Sequence, residues 1–182
     1  MHDDHPPIPH PGELEAQRRF GAEGYWDAQR LAMIRDHLPP AWTAFLEAQA
    51  FFFIATANRT GACDCSFRGR EFDASGRPYA LLKVLDGNTL VFPDFSGNRL
   101  YSSLGNLLEN PQIGLLFVDF QQRARVRVNG DAEIIEDRHA HQDIWPTALR
   151  YVRVTVWQAF PNCKARVPLM AFVPPSDAFF DE

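Results

Sequence analysis

The chain has 182 residues, 46% of them hydrophobic and 23% charged, which suits one soluble globular core. Its formal net charge of −5 argues against nucleic acid as the main partner, since phosphate-backbone binding needs a basic footprint. Three cysteines do not make a disulfide framework, and no apolar run approaches membrane-spanning length.

The first stretch, Met-His-Asp-Asp-His-Pro-Pro-Ile-Pro-His-Pro-Gly, has neither a basic n-region nor an apolar core. It reads as a mobile tail over residues 1–12 of a cytoplasmic protein, not as a signal peptide. Residues 13–182 read as one domain with N-terminal helices over 13–49. Glu13 to Gly21 looks helical, anchored by Leu14 and Phe20. Tyr25 to His37 predicts a second, amphipathic helix, with Trp26, Arg30, Met33, Ile34 and His37 at helical spacing. Leu38-Pro-Pro ends it, and Pro40 opens another helix carrying Trp42, Phe45 and Leu46.

From Phe51 the period changes. Phe51 to Ala57 predicts a buried strand, and Asn58-Arg-Thr-Gly61 a turn. Ala62 to Gly69 alternates, with Asp64, Ser66 and Arg68 on one face and Cys63, Cys65 and Phe67 on the other. The two cysteines read as reduced thiols. With His139 and His141 they match no standard zinc spacing, so no metal is expected. Arg70 to Arg77 is a loop. Tyr79 to Leu85 and Thr89 to Phe92 predict strands joined by a tight Asp86-Gly-Asn88 turn.

The next stretch is the most informative. A strand ends at Pro93-Asp94, a turn follows, and a helix is predicted to open with Asn98 and Arg99 in its first turn. Leu100, Leu104, Leu107 and Leu108 would share one of its faces. A helix start offers unpaired N–H groups and a positive dipole end, so an arginine there suggests phosphate. Ile113 to Val118 predicts a buried strand. Arg123 to Ile135 predicts a long one, with Arg123, Arg125, Arg127 and Asn129 along one side. Such a row repels itself, so an anion or a partner's acidic face is expected opposite. Asp137 to Leu149 predicts a short helix and Tyr151 to Phe160 a last strand. Seven or so short strands with one inserted helix give an α+β, mainly β class: a closed or partly closed barrel with peripheral helices.

Three polar sets are candidates for chemistry: Asp64, Ser66 and Arg68; Asp94, Asn98, Arg99 and Ser102; and the arginine row. Arginine forks, serine hydroxyls and helix N–H groups together make a phosphate cradle. Lys83 interrupts an apolar strand, either to contact a cofactor ring or to snorkel at the rim. No Gly-x-Gly-x-x-Gly unit, Walker loop or Gly-x-Ser-x-Gly elbow is present.

The ordered set Phe-Phe-Phe-Ile-Ala-Thr-Ala, Asp64-x-Ser66-x-Arg68-Gly69, Leu-x-Phe-Pro-Asp-x-x-Gly-Asn-Arg, Asn110-Pro-x-Ile-Gly-Leu-Leu-Phe117 and Arg127-Val-Asn-Gly130-x-Ala resembles the pyridoxamine 5′-phosphate oxidase-like FMN-binding split-barrel family. It covers about Phe45 to Cys163. The resemblance implies a six-stranded Greek-key barrel, a homodimer, and FMN at the subunit interface with a small-molecule substrate. It implies that Asn98 and Arg99, with Asp94 and Ser102 beside them, grip the phosphate. Ser66, Arg68, Gly69 and Lys83 would flank the flavin, and Arg125, Arg127 and Asn129 would line the same cavity. No catalytic acid or base is implied, because the flavin carries the electrons. Arg99 is followed by Leu100, where the vitamin-salvage oxidases place a second basic residue. The chain also ends Val173-Pro-Pro-Ser-Asp-Ala-Phe-Phe-Asp-Glu182, without their basic, Trp- and Arg-bearing segment. The expectation is therefore an FMN-dependent oxidoreductase of unassigned substrate. The alternatives are a non-catalytic flavin or haem carrier of the same fold, with His139 or His141 as axial ligand, or the salvage oxidase itself.

Overall fold

The computed structural model describes residues 8–171. Most of the predicted tail and the acidic end at 173–182 lie outside the described residues. The elements in chain order are α1 (Pro11–Arg19), α2 (Ala28–Leu31), α3 (Pro40–Ala48), β1 (Phe51–Ala57), β2 (Cys63–Gly69), β3 (Lys83–Asp86), β4 (Thr89–Asp94), α4 (Ser102–Glu109), β5 (Gln112–Asp119), β6 (Ala124–Ile135) and β7 (Arg150–Asn162). All seven strands join one antiparallel sheet in the order β2-β1-β5-β6-β7-β4-β3. That is one strand more than the resemblance implies.

The sheet curls back on itself, and two rings show it. β1 and β4 lie four strand spacings apart in the sheet order, about 19 Å if it were flat. Yet Phe52 on β1 meets Phe92 on β4 edge to face at 5.2 Å, while stacking on Phe117 of β5 at 5.0 Å. All three are essentially buried, together with Ile54, Leu90, Leu115, Val128 and Val154. The alternating pattern of each strand sends these side chains inward. A second, smaller core holds Val91, Trp145, Ala148 and Tyr151.

Several local expectations give way to tertiary contacts. Tyr25 to His37 is not one helix: Asp27 caps a helix of only 4 residues. Arg35 instead pairs with Ala159 of β7 through two backbone hydrogen bonds of 2.8 and 2.7 Å, so the sheet claims this segment. Asp137 to Leu149 forms turns rather than a helix. Pro146 disfavours helical backbone at Trp145, and Trp145 is wholly buried as an anchor. α1 starts at Pro11, two residues early, because His10 and Glu13 form a reciprocal capping box. β3 begins only at Lys83; Leu81 and Leu82 are buried before it without entering the sheet.

The sharpest close approach is at Gly130, beside the bulge where β6 shifts register against β7. A Cβ there would lie 2.5 Å from both the Thr155 carbonyl oxygen and Val154 Cγ1. Backbone cannot yield as a side-chain tip can. Gly130→Ala is expected to destabilise the fold by about 1–3 kcal/mol, read from urea unfolding. An unchanged midpoint would show that β6 and β7 separate freely here.

Candidate functional site

A cleft of about 800 Å³ opens between β2, the end of β4, the loop 95–101 and α4. Its lining includes Ser66, Arg68, Asp94, Asn98, Arg99 and Ser102. Six of the eleven residues expected at the site therefore meet in one place, from two stretches of chain far apart in sequence.

The helix start differs from expectation. α4 begins at Ser102, so Asn98 and Arg99 precede it instead of occupying its first turn. Asn98 Oδ1 accepts from the Leu100 N–H at 3.0 Å, folding the loop on itself. Arg99 and Tyr101 hold left-handed backbone, with φ of 62° and 55°. Non-glycine residues in that region are sustained only by surrounding structure and cluster at ligand sites. Leu104 and Leu107 are buried as expected, but Leu100 and Leu108 are exposed. Leu100 lies outside the helix, and Leu108 turns away from the core.

Two further residues bear on the site: Ser103 lines the cleft, and Arg150 contacts two residues that do, Asp94 and Tyr101. Ser103, which the sequence reading passed over for Ser102, is only 4% exposed. Its Oγ lies 2.9 Å from Ser66 Oγ and donates to Asp64 Oδ2 at 3.0 Å, while Ser66 Oγ donates to the same oxygen at 2.9 Å. The helical offset between positions 102 and 103 is the signal that separates them: only one can face β2. Arg150 was also missed. It pairs across the ladder with Asp94, and its guanidinium lies 5.3 Å from the Tyr101 ring centroid.

Asp94 is buried between Arg68 and Arg150, each with a nitrogen 3.8 Å from one of its oxygens. Burial raises its carboxyl above the ordinary 3.8, against the lowering pull of the two arginines. The folded chain thus holds this proton more tightly than the unfolded chain. The resulting stabilisation is complete below 3.8 and is lost as pH rises through the raised value. Asp94→Asn is expected to flatten the dependence of the urea midpoint on pH from about pH 4 upwards. Parallel profiles for the two proteins would refute that assignment.

The other five expected residues do not line this cleft. Gly69 closes β2 just beyond it. Lys83 Nζ sits 3.0 Å from Glu47 Oε1 on α3, an oxygen that also accepts from the Val84 N–H at 3.0 Å. The lysine is thus held by a helix carboxylate. Strand register places the remaining three on the far face of the sheet. Ser66, Ile54, Leu115 and Val128 share one rung and one face; Phe67, Phe53, Leu116 and Arg127 share the next rung and the opposite face. Arg125 and Asn129 follow Arg127. The arginine row also makes contacts within the chain, although Arg125 Nε is buried without a hydrogen-bond partner. Arg123 donates to the Val167 carbonyl at 3.0 Å and Arg125 to the Cys163 carbonyl at 2.6 Å. Arg127 lies 5.7 Å from the Phe160 ring centroid, and Asn129 donates to Gln158.

The cleft therefore offers forked cationic donors and hydroxyls at the end of a strand, beside a strained loop leading into a helix. The pyridoxamine 5′-phosphate oxidase family profile matches residues 38–162, and the chain belongs to that family. Among solved structures it is similar to HupZ of Group A Streptococcus, at 15% identity and TM-score 0.51, over 74% of this chain and 99% of that one. A HupZ variant with one histidine replaced by alanine matches at 15% identity and TM-score 0.52, over 69% and 99%. A candidate pyridoxamine 5′-phosphate oxidase of Lactobacillus delbrueckii matches at 18% identity and TM-score 0.50, over 69% and 95%. These likenesses concern the fold. No curated protein matches the chain. Among the described residues no helix is long and apolar enough to cross a membrane, and no group of His, Cys, Asp or Glu is set to hold a metal ion.

Proposed function

We propose that the chain is an FMN-binding flavoprotein that works as an oxidoreductase on a small substrate. The observation that carries this reading is Arg68. Its Nε is buried without a hydrogen-bond partner, on the wall of a cleft that also presents Arg99, Ser66 and Ser102. A buried unpartnered guanidinium N–H is costly unless an acceptor arrives. The cleft volume lies within the ordinary range for small-molecule sites. Family membership supports a phosphorylated cofactor as that acceptor.

In this reading Arg68 and Arg99 hold the phosphate, and Ser102 adds a hydroxyl contact. Bound there, the flavin supplies the redox chemistry, and the chain binds it, orients it and excludes water. We further propose a homodimer with the flavin at the interface. Phe67 is 60% exposed on the outer face, stacked on Phe51 at 5.3 Å, and shares that face with Arg127. An aromatic face beside arginines suits a buried contact. Pairing two chains would give the outer row a route to a partner's cleft that one chain alone denies it. The haem alternative gains nothing: His139 bonds Gln142, His141 packs on Trp145 and Tyr151, and neither lines the cleft.

The test is a visible spectrum of the purified protein, followed by titration with FMN and reduction by NAD(P)H. Tight uptake and cycling of the flavin are expected. A protein that takes up no FMN would sink the flavin reading, and bound flavin that no reductant cycles would leave a carrier. Arg99→Ala removes a charge-assisted contact worth about 1.5–3 kcal/mol, so FMN affinity should fall about 10- to 150-fold. Unchanged affinity would move the phosphate elsewhere.

A further inference from the structure

We propose that the cleft has a hydrogen-bonding polarity: Asp64, Ser66 and Ser103 form an acceptor end that orients ligand hydroxyls, opposite a phosphate-taking donor end at Arg68 and Arg99. Asp64 and Ser103 are then specificity-determining residues, and the ligand class is a phosphorylated polyol. The proposal rests on the flavin reading in that the ribityl phosphate of FMN is one such group.

The argument starts from a count of protons. Asp64 Oδ2, Ser66 Oγ and Ser103 Oγ lie mutually within 2.9 to 3.0 Å. Each hydroxyl owns one proton, so two protons serve three contacts. A carboxylate accepts more strongly than a hydroxyl, so both protons go to Asp64. The two serine oxygens then meet a ligand as acceptors, beside a negative charge. Phosphate oxygens are acceptors too and carry the same sign of charge, so this end disfavours them. Hydroxyl groups, which donate, are favoured. Ser103 is buried on α4, which fixes the arrangement before any ligand arrives.

The opposite end has the opposite character. Guanidinium groups only donate. Arg68 stands 3.8 Å from Asp94, beyond hydrogen-bond distance, and its Nε has no partner. Its donors are therefore unspent. Asp64 and Arg68 are four residues apart on one strand face, about 13 Å along β2. That span suits a short polyol chain ending in phosphate.

Calorimetric titration with ribitol 5-phosphate and with inorganic phosphate tests this without flavin. The wild-type protein should prefer ribitol 5-phosphate by about tenfold, the scale of one charge-assisted hydrogen bond. Asp64→Asn and Ser103→Ala should each lose that preference while binding inorganic phosphate as well as before or more tightly. Circular dichroism confirms that each variant is folded, and Ser103→Ala carries the test if Asp64→Asn is not. A wild-type protein with no preference, or variants that keep it, would overturn the polarity. FMN uptake is measured separately. Its failure with the preference intact overturns the flavin reading alone; its success with the preference absent overturns only the polarity.

Discussion

Trp145→Ala is expected to destabilise the fold by about 3–5 kcal/mol, the range for emptying a large buried aromatic site. For a chain of this length that corresponds to a melting point lower by about 6–20 °C. Three contacts are lost together. The indole is wholly buried, its Nε1 donates to the Ala80 carbonyl at 2.6 Å, and its ring lies 5.8 Å from that of Tyr151. Tyr151 is itself fixed by its hydroxyl, which donates to the Arg138 carbonyl at 2.8 Å. Trp145→Phe separates the terms. It keeps most of the packing and leaves the Ala80 carbonyl unpaired, at about 1–3 kcal/mol. The functional consequence runs through Phe95, which packs on this cluster and lines the cleft. Thermal and urea unfolding give the stabilities. A Trp145→Ala protein within about 1 kcal/mol of wild type, a limit well below the cited range, would show that the 137–149 segment is not an anchor.

Phe52→Ala is expected to cost a similar amount, about 3–5 kcal/mol, for a different reason. Phe52 bridges Phe92 and Phe117 from strands that the sheet order keeps apart. It therefore holds the curl of the sheet, and β4 carries Asp94 into the cleft directly after Phe92 and Pro93. Loss of stability should come with weaker FMN binding in the fraction that stays folded. Phe52→Leu, which refills most of the volume, should recover the larger part of both losses. If Phe52→Ala loosened neither, contacts other than this aromatic bridge would hold the curl of the sheet.

Strand identity was legible because it rests on local alternation. β1, β2, β4, β5, β6 and β7 fall within a residue or two of where period and turn residues place them. So did the pairing of Asp64, Ser66 and Arg68 on one face, since a strand's faces follow from its own residues. The segments at 25–37 and 137–149 were misread because their outcome depends on distant partners: Ala159 for the first, the buried seat of Trp145 for the second.

The same division runs through the site. The sequence by itself determined the strand faces, the phosphate-suited residue types and, through an ordered set of motifs, the family. Only the tertiary structure decided which of those residues meet. Helix phase chose Ser103 over the adjacent Ser102 to face Asp64 and Ser66, and strand register put Arg127 on the face opposite Ser66. A backbone's period fixes where a side chain points relative to its neighbours, but what it points at depends on how the sheet curls and on which loop closes over it.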